Sequence, residues 1–120
     1  MITKKKQAII DAYEKGYSVI NGHVYYKNRQ RKLYLHYKKK GDNFPYYSFG
    51  VRSQLTRVQI YVHQFVAYQK YGDEFINNET SVVNHRDDDT LNNREDNIFL
   101  VLPSDKSKFK KDEKSKKKAK

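Results

Sequence analysis

Between Tyr17 and Val62 apolar residues recur at every second position, and from Val62 to Gly72 they recur at every third and fourth. A chain that changes period from two to 3.6 places strands first and a helix after them, which predicts an α+β fold. A short helix is expected ahead of the strands. Lys4 to Glu14 carries Ile9, Ile10 and Tyr13 at helical spacing beside Ala8 and Ala12, and Gly16 ends it. Tyr17 to Tyr26 reads as a hairpin around Asn21-Gly22, because Asn-Gly accepts the positive φ angles of a type I′ turn. Lys32 to Tyr37 alternates, with Leu33, Leu35 and Tyr37 on one face and Lys32, Tyr34 and His36 on the other. Residues 39 to 43 form the next turn, and Tyr46 to Val51 and Arg57 to Val62 further strands, with Val58, Ile60 and Val62 inward. The expected front half is an antiparallel β-meander of four or five strands.

From Val62 the apolar positions Val62, Phe65 and Val66, continued by Gln69, make one amphipathic helix closed by Gly72. Asp73 to Ser81 reads as a polar loop. Val82-Val83 and Ile98 to Leu102 read as strands around a polar stretch, and Pro103-Ser104 as the start of a helix running into the lysine-rich end. The length of 120 residues leaves room for one compact domain with a modest core. Within it we distinguish a Tyr-rich meander at 1–56, a ββα unit with its leading helix at 57–109 and a basic tail at 110–120.

Composition excludes several classes. Without cysteine there is no disulfide framework, thiolate metal site or thiol redox chemistry. No apolar run is long enough for a signal peptide or a bilayer span, so the expectation is a soluble protein of the host-cell cytoplasm with no membrane partner. The net charge of +11 points to a polyanion. Nine lysines against Asp112 and Glu113 place +7 of it between Lys106 and Lys120. That is the layout of a non-specific phosphate grip on a mildly basic body, and equally of a solvated tail that keeps a protein soluble. The eleven tyrosines likewise allow two readings. Tyr supplies core area where aliphatic residues are scarce, and Tyr interleaved with Lys and Arg stacks single-stranded nucleic acid.

The polar stretch between the last two strands places His85 at the end of one and Asn97 at the start of the next, twelve positions apart, so a hairpin brings them side by side. On spacing alone this is an Asx-turn loop with one partly exposed His, or a nuclease-like site. The run Tyr61-Val62-His63-Gln64-Phe65-Val66-Ala67, followed by Val83-Asn84-His85 and Asp96-Asn97-Ile98, resembles the HNH endonuclease family of phage and homing type. Its members run VHRLVA, then NHxDGxxxNNxxxNL, then a helix carrying the last metal ligand. The Tyr-rich front also resembles that of such phage proteins. The resemblance implies a β-hairpin and helix around one divalent metal, Mg or Mn, and double-stranded DNA as partner. It implies His85 as general base, Asn84 as first metal ligand and Asn97 as the residue that fixes hairpin and imidazole, making His85 and Asn97 the catalytic pair. His63 reads as a packed structural residue.

The departures bear on activity. The family's last ligand falls nine positions after the central Asn, on Lys106, which carries a positive charge and donates hydrogen bonds, so it cannot hold a cation. Asp105 is one helical step, about 100°, off that face. Asp88 stands where the family has Gly, Gln64 where it has Arg and Phe109 where many members have His. Asn84 alone leaves a weak site, with metal loosely held or absent unless Asp87, Asp88 or Asp89 reaches in. The leading expectation is a DNA-binding protein of this family with weakened or lost cleavage, acting as a regulator. Its phosphate contacts are Lys106, Lys108, Lys110, Lys111 and Lys114 with Arg86 and Arg94. A working metal-dependent endonuclease or nickase, and an inhibitor of a host protein, are the alternatives.

Overall fold

The computed structural model describes residues 3–37, 45–52, 57–78 and 81–102. The expected turn at 39–43, the helix from Pro103 and the lysine tail, Lys106, Lys108, Lys110, Lys111 and Lys114 among it, lie outside the described residues. The mixed α+β architecture is as the periodicity requires. Helix α1, Lys4–Lys15, begins where Thr3 Oγ1 accepts the Lys6 amide at 3.1 Å and ends at Gly16, whose φ of 109° lets the chain turn in the left-handed region. Strands β1, Ser18–Ile20, and β2, His23–Tyr26, pair antiparallel across Asn21-Gly22, with φ of 53° and 83° as a type I′ turn demands.

The meander divides into two sheets. A two-residue strand β3, Arg29–Gln30, joins β1 and β2 across a second tight turn at Lys27-Asn28, where both φ angles are positive. Too short and polar for any alternation, it leaves no periodic trace in the sequence. The second sheet is β4 (Tyr34–Tyr37), β5 (Pro45–Arg52) and β6 (Arg57–Tyr61), in that order. Its register puts Phe49 opposite Ile60 and Val51 opposite Val58 on the core side. Leu35 and Tyr37 share that side with Tyr47 and Pro45, yet are half exposed, because β4 overhangs the end of the core.

Helix α2, Val62–Tyr71, follows β6 directly and is the centre of the molecule. Val62, Phe65, Val66 and Ala67 are buried, and α2 touches α1, both N-terminal sheets and the last hairpin. Phe49 and Phe65 meet edge to face at 5.5 Å, while Tyr17 stacks on Tyr26 at 4.2 Å. Tyr17, Tyr26, Tyr47, Tyr68 and Tyr71 all join this core, so part of the tyrosine complement does substitute for aliphatic residues.

Gln69 sits on the apolar stripe for a reason the helix alone does not reveal. Its side-chain amide lies against the β1 backbone, Oε1 accepting from Val19 N at 2.8 Å and Nε2 donating to Val19 O at 3.0 Å. The side chain thus mimics a neighbouring strand at one residue.

The polar loop expected over Asp73 to Ser81 is corrected. Asp73–Asn77 form a short helix, α3, that buries Phe75 and Ile76. Lys6 on α1 donates to the carbonyls of Phe75 at 2.7 Å, Ile76 at 3.3 Å and Asn78 at 3.1 Å. A cation delivered from another helix satisfies the C-terminal carbonyls, a cap no local pattern signals. Finally β7, Val82–His85, and β8, Ile98–Val101, form a two-stranded hairpin with Val83 opposite Leu100 and His85 opposite Ile98. Among the described residues no helix is long and apolar enough to cross a membrane.

Replacing Gln69 by Leu leaves Val19 N and O without partners, at about 1 to 3 kcal/mol for each buried group left unpaired. The expected result is a loss of about 2 kcal/mol in urea unfolding despite the more apolar side chain. An unchanged midpoint contradicts the strand-mimicking role.

Candidate nuclease site

The loop between β7 and β8 is built from Asx turns. Asp87 Oδ1 accepts from the Asp89 amide at 2.9 Å, Asp89 Oδ1 from the Leu91 amide at 3.0 Å and Asn92 Oδ1 from the Arg94 amide at 3.4 Å. Asp88, where the family pattern has Gly, lies at φ 62°, a left-handed conformation that Asp tolerates better than most residues. Thr90 Oγ1 donates to Pro45 O at 2.6 Å and pins the loop to β5.

Asn97 is the knot of this loop. It ends a short 3₁₀ turn, Glu95–Asn97, and is buried. Its Oδ1 accepts from the Asp87 amide at 3.1 Å, while Nδ2 donates to Asp87 Oδ1 at 2.9 Å and to Asn92 O at 2.8 Å. Its own carbonyl accepts from Arg86 N at 2.8 Å, continuing the β7–β8 ladder by one rung. Asn97 therefore fixes the hairpin loop, and its side-chain bonds all go to that loop.

The imidazole has a different partner. His85 Nε2 meets Asn93 Oδ1 at 2.9 Å, and since a carbonyl oxygen only accepts, this contact favours the neutral tautomer with the proton on Nε2 and the lone pair on Nδ1. Asn93 is 1% exposed, the most enclosed polar residue of the loop. The motif pairs the imidazole with Asn97, whereas the preceding Asn92-Asn93 supplies the ring partner. The segment is braced from behind. Asn21 N donates to Glu95 Oε1 at 3.0 Å, and Gly22 lies so close that a Cβ there would sit 3.7 Å from the Asn93 carbonyl carbon. Lys70, from the last turn of α2, donates to the carbonyls of Glu95 and Ile98, each at 2.7 Å.

His85 opens onto a cleft of about 410 Å³ lined by Tyr46, His63, Val83, Asn84, Asp88 and Thr90 as well as itself. His63 is buried, as a packed helix residue would be, yet its ring lines the cleft 5.4 Å from that of His85 and 5.0 Å from that of Tyr46. Asn84 is half-buried at the same cleft. Arg86 lies over the Phe99 ring at 5.0 Å, and Arg94 faces Asp96 at 3.9 Å with both side chains exposed, a weak pair. Four further cations on the β2–β3 hairpin and just beyond it, Lys27, Arg29, Arg31 and Lys32, are exposed and form no ion pair among the described residues. No motif marked them, although the stretch from Lys27 to Lys32 contains no acid.

The donor chemistry does not by itself fit a divalent cation. Among the described residues no three His, Asp or Glu side chains converge as a metal-holding group, and the cleft offers one carboxylate, one amide and two imidazoles.

Burial alone would raise the Asp87 carboxyl, but hydrogen bonds from Asn92, the Asp89 amide, Asn97 and its own amide together hold it below the usual carboxylate range. Residues 60–108 match the family model described as HNH endonuclease. No curated protein and no solved structure matches the chain.

A carboxylate whose folded pKa is depressed stabilises the fold above its unfolded value, near 3.8, and loses that contribution as the pH falls through the folded value. Asp87→Asn should cost about 1 kcal/mol at pH 7, at the low end for bonds to a charged group because Asp87 is exposed. The difference between variant and wild type should shrink below about pH 4. Urea melts at pH 7 and pH 3 check this, and a gap that stays constant overturns it.

Proposed function

We propose, from the match of residues 60–108 to the HNH endonuclease family model, that this chain is a DNA-binding protein on a nuclease scaffold whose cleavage is weakened or lost. In this role it acts as a regulator on double-stranded DNA, of the kind phage proteins are. Nucleases of this family generally use a divalent metal. The observation that carries the proposal is the contrast within the cleft. The contact of His85 Nε2 with Asn93 would suit Nδ1 to take a proton from water, while the ligand side offers Asn84 and Asp88 without a converging third group. In the sequence Lys106 falls at the offset that the resemblance gives to the family's last ligand, and a positive charge there would oppose a cation.

The same preparation of His85 supports the second reading, a working nickase with an unusual ligand set. A plasmid-nicking assay in Mg²⁺ and Mn²⁺ separates the two. The expected outcome is little nicking by wild type and a gain of tenfold or more in Mn²⁺ for Lys106→Asn, the range typical of an added stabilising contact to the transition state. Robust wild-type nicking that His85→Ala abolishes overturns the proposal in favour of the nickase.

DNA binding is tested separately. Changing Lys114, Lys116, Lys117, Lys118 and Lys120 together to Gln should weaken duplex binding and flatten its salt dependence, since log K falls by about 0.9 per unit of log salt for each phosphate neutralised. If affinity and slope are both unchanged, the tail is a solubility element. The exposed cations Lys27, Arg29, Arg31 and Lys32 would then be the next grip to examine.

A further inference from the structure

The β4-β5-β6 sheet has a second face that the core does not use. The pairings His36↔Tyr46, Ser48↔Tyr61 and Gly50↔Gln59 place these six residues together on it, opposite Phe49, Val51 and Ile60. None of the described residues of the three strands is acidic, and the charges on this face are Arg52 and Arg57, paired at one end. The Arg57 guanidinium lies directly over Gly50, in space that any side chain at position 50 would need.

Tyr46 lines the His85 cleft and stands on this face beside Tyr61, and a chain of rings, with buried His63 as one link, joins the two. His85 meets His63 at 5.4 Å, His63 meets Tyr46 at 5.0 Å, Tyr46 meets Tyr61 at 6.0 Å and Tyr61 meets His36 at 6.4 Å. At the far end Lys5, His36, Ser48, Gln59 and Tyr61 line a pocket of about 200 Å³, with Lys5 Nζ 5.9 Å from the centre of the Tyr61 ring. His36 Nε2 is buried there with no hydrogen-bond partner among the described residues. A buried polar atom left without a partner is costly, and this one lies beside an aromatic ring in a pocket that Lys5 also lines.

We infer that this face is a track for unpaired nucleotides leading into the His85 cleft, with Tyr61 as stacking surface, Lys5 as phosphate contact and His36 as partner for a base edge. The inference rests on the proposed nucleic-acid function and names the form of nucleic acid that this surface takes. Three features converge: an aromatic plane to stack on, a cation beside it and a polar atom that a base can satisfy. Intact duplex offers its bases only at groove edges, so it has no use for an aromatic plane, whereas a frayed or displaced strand does. The absence of acid on the strands keeps the path open to phosphates.

The test is fluorescence anisotropy on the full chain, with a labelled oligothymidylate of about 12 nucleotides and a labelled duplex of the same length. Wild type should bind both. Lys5→Gln and Tyr61→Leu should each weaken single-strand binding roughly three- to tenfold and change duplex binding less than about twofold, while Tyr61→Phe, which keeps the ring, should bind like wild type. Lys5 is exposed, so its result stands even if Tyr61→Leu fails to fold. Unchanged single-strand affinity in Lys5→Gln, or equal losses on both probes, overturns the inference. Duplex binding by wild type without single-strand binding overturns it alone, and binding of neither probe overturns the proposed function together with it.

Discussion

The last turn of α2 holds the molecule together. Two successive side chains leave it in different directions, Gln69 to the Val19 backbone of the first sheet and Lys70 to the carbonyls of Glu95 and Ile98 at the base of the last hairpin. The buried stripe of Val62, Phe65 and Val66 gives α2 its place, but apolar contact is non-directional and does not set the distance between hairpins. The paired polar contacts do, because each requires a donor and acceptor within about 3 Å at defined angles. The desolvation of Lys70 that this requires, reinforced by Arg86, lowers its ammonium pKa, while Asp96 and Glu95 act in the opposite direction.

That geometry reaches the cleft by a short route. Lys70 holds Glu95 by its carbonyl, Glu95 receives the Asn21 amide, and the Asn21-Gly22 turn lies beside Asn93, the partner of His85. The imidazole is thus positioned by the first hairpin of the chain as well as by its own. Two Asn residues divide the work that a short motif assigns to one. Asn97 closes the loop on Asp87 and Asn92, and Asn93 fixes the ring. Both are buried, but only Asn97 has both ends of its amide bonded; Asn93 Nδ2 has no hydrogen-bond partner among the described residues.

The tyrosines illustrate how one composition serves two ends. Tyr17, Tyr26 and Tyr47 pack against the core, where ring area substitutes for scarce aliphatic side chains. Tyr46 and Tyr61 occupy the opposite face of the second sheet, in contact with His63 and His36. The alternation along a strand assigns these faces, but which of them meets solvent depends on where α1 and α2 pack.

Helix α1, the Asn-Gly hairpin, β5, β6, α2 and the last two strands were all legible from period, turn chemistry and terminating glycines, since those signals act within a few residues. The match of residues 60–108 to the HNH endonuclease family model agrees with the family that the sequence resembles. Three things were not legible. β3 is too short to carry a period, α3 is capped by Lys6 from some seventy residues away, and the choice of Asn93 over Asn97 as the ring partner depends on how the loop closes. The sequence determined the local elements, because backbone preferences and hydrophobic period are properties of neighbours along the chain. Only the tertiary structure decided which polar side chain meets which, because a hydrogen bond between distant residues forms only after packing has brought them within reach.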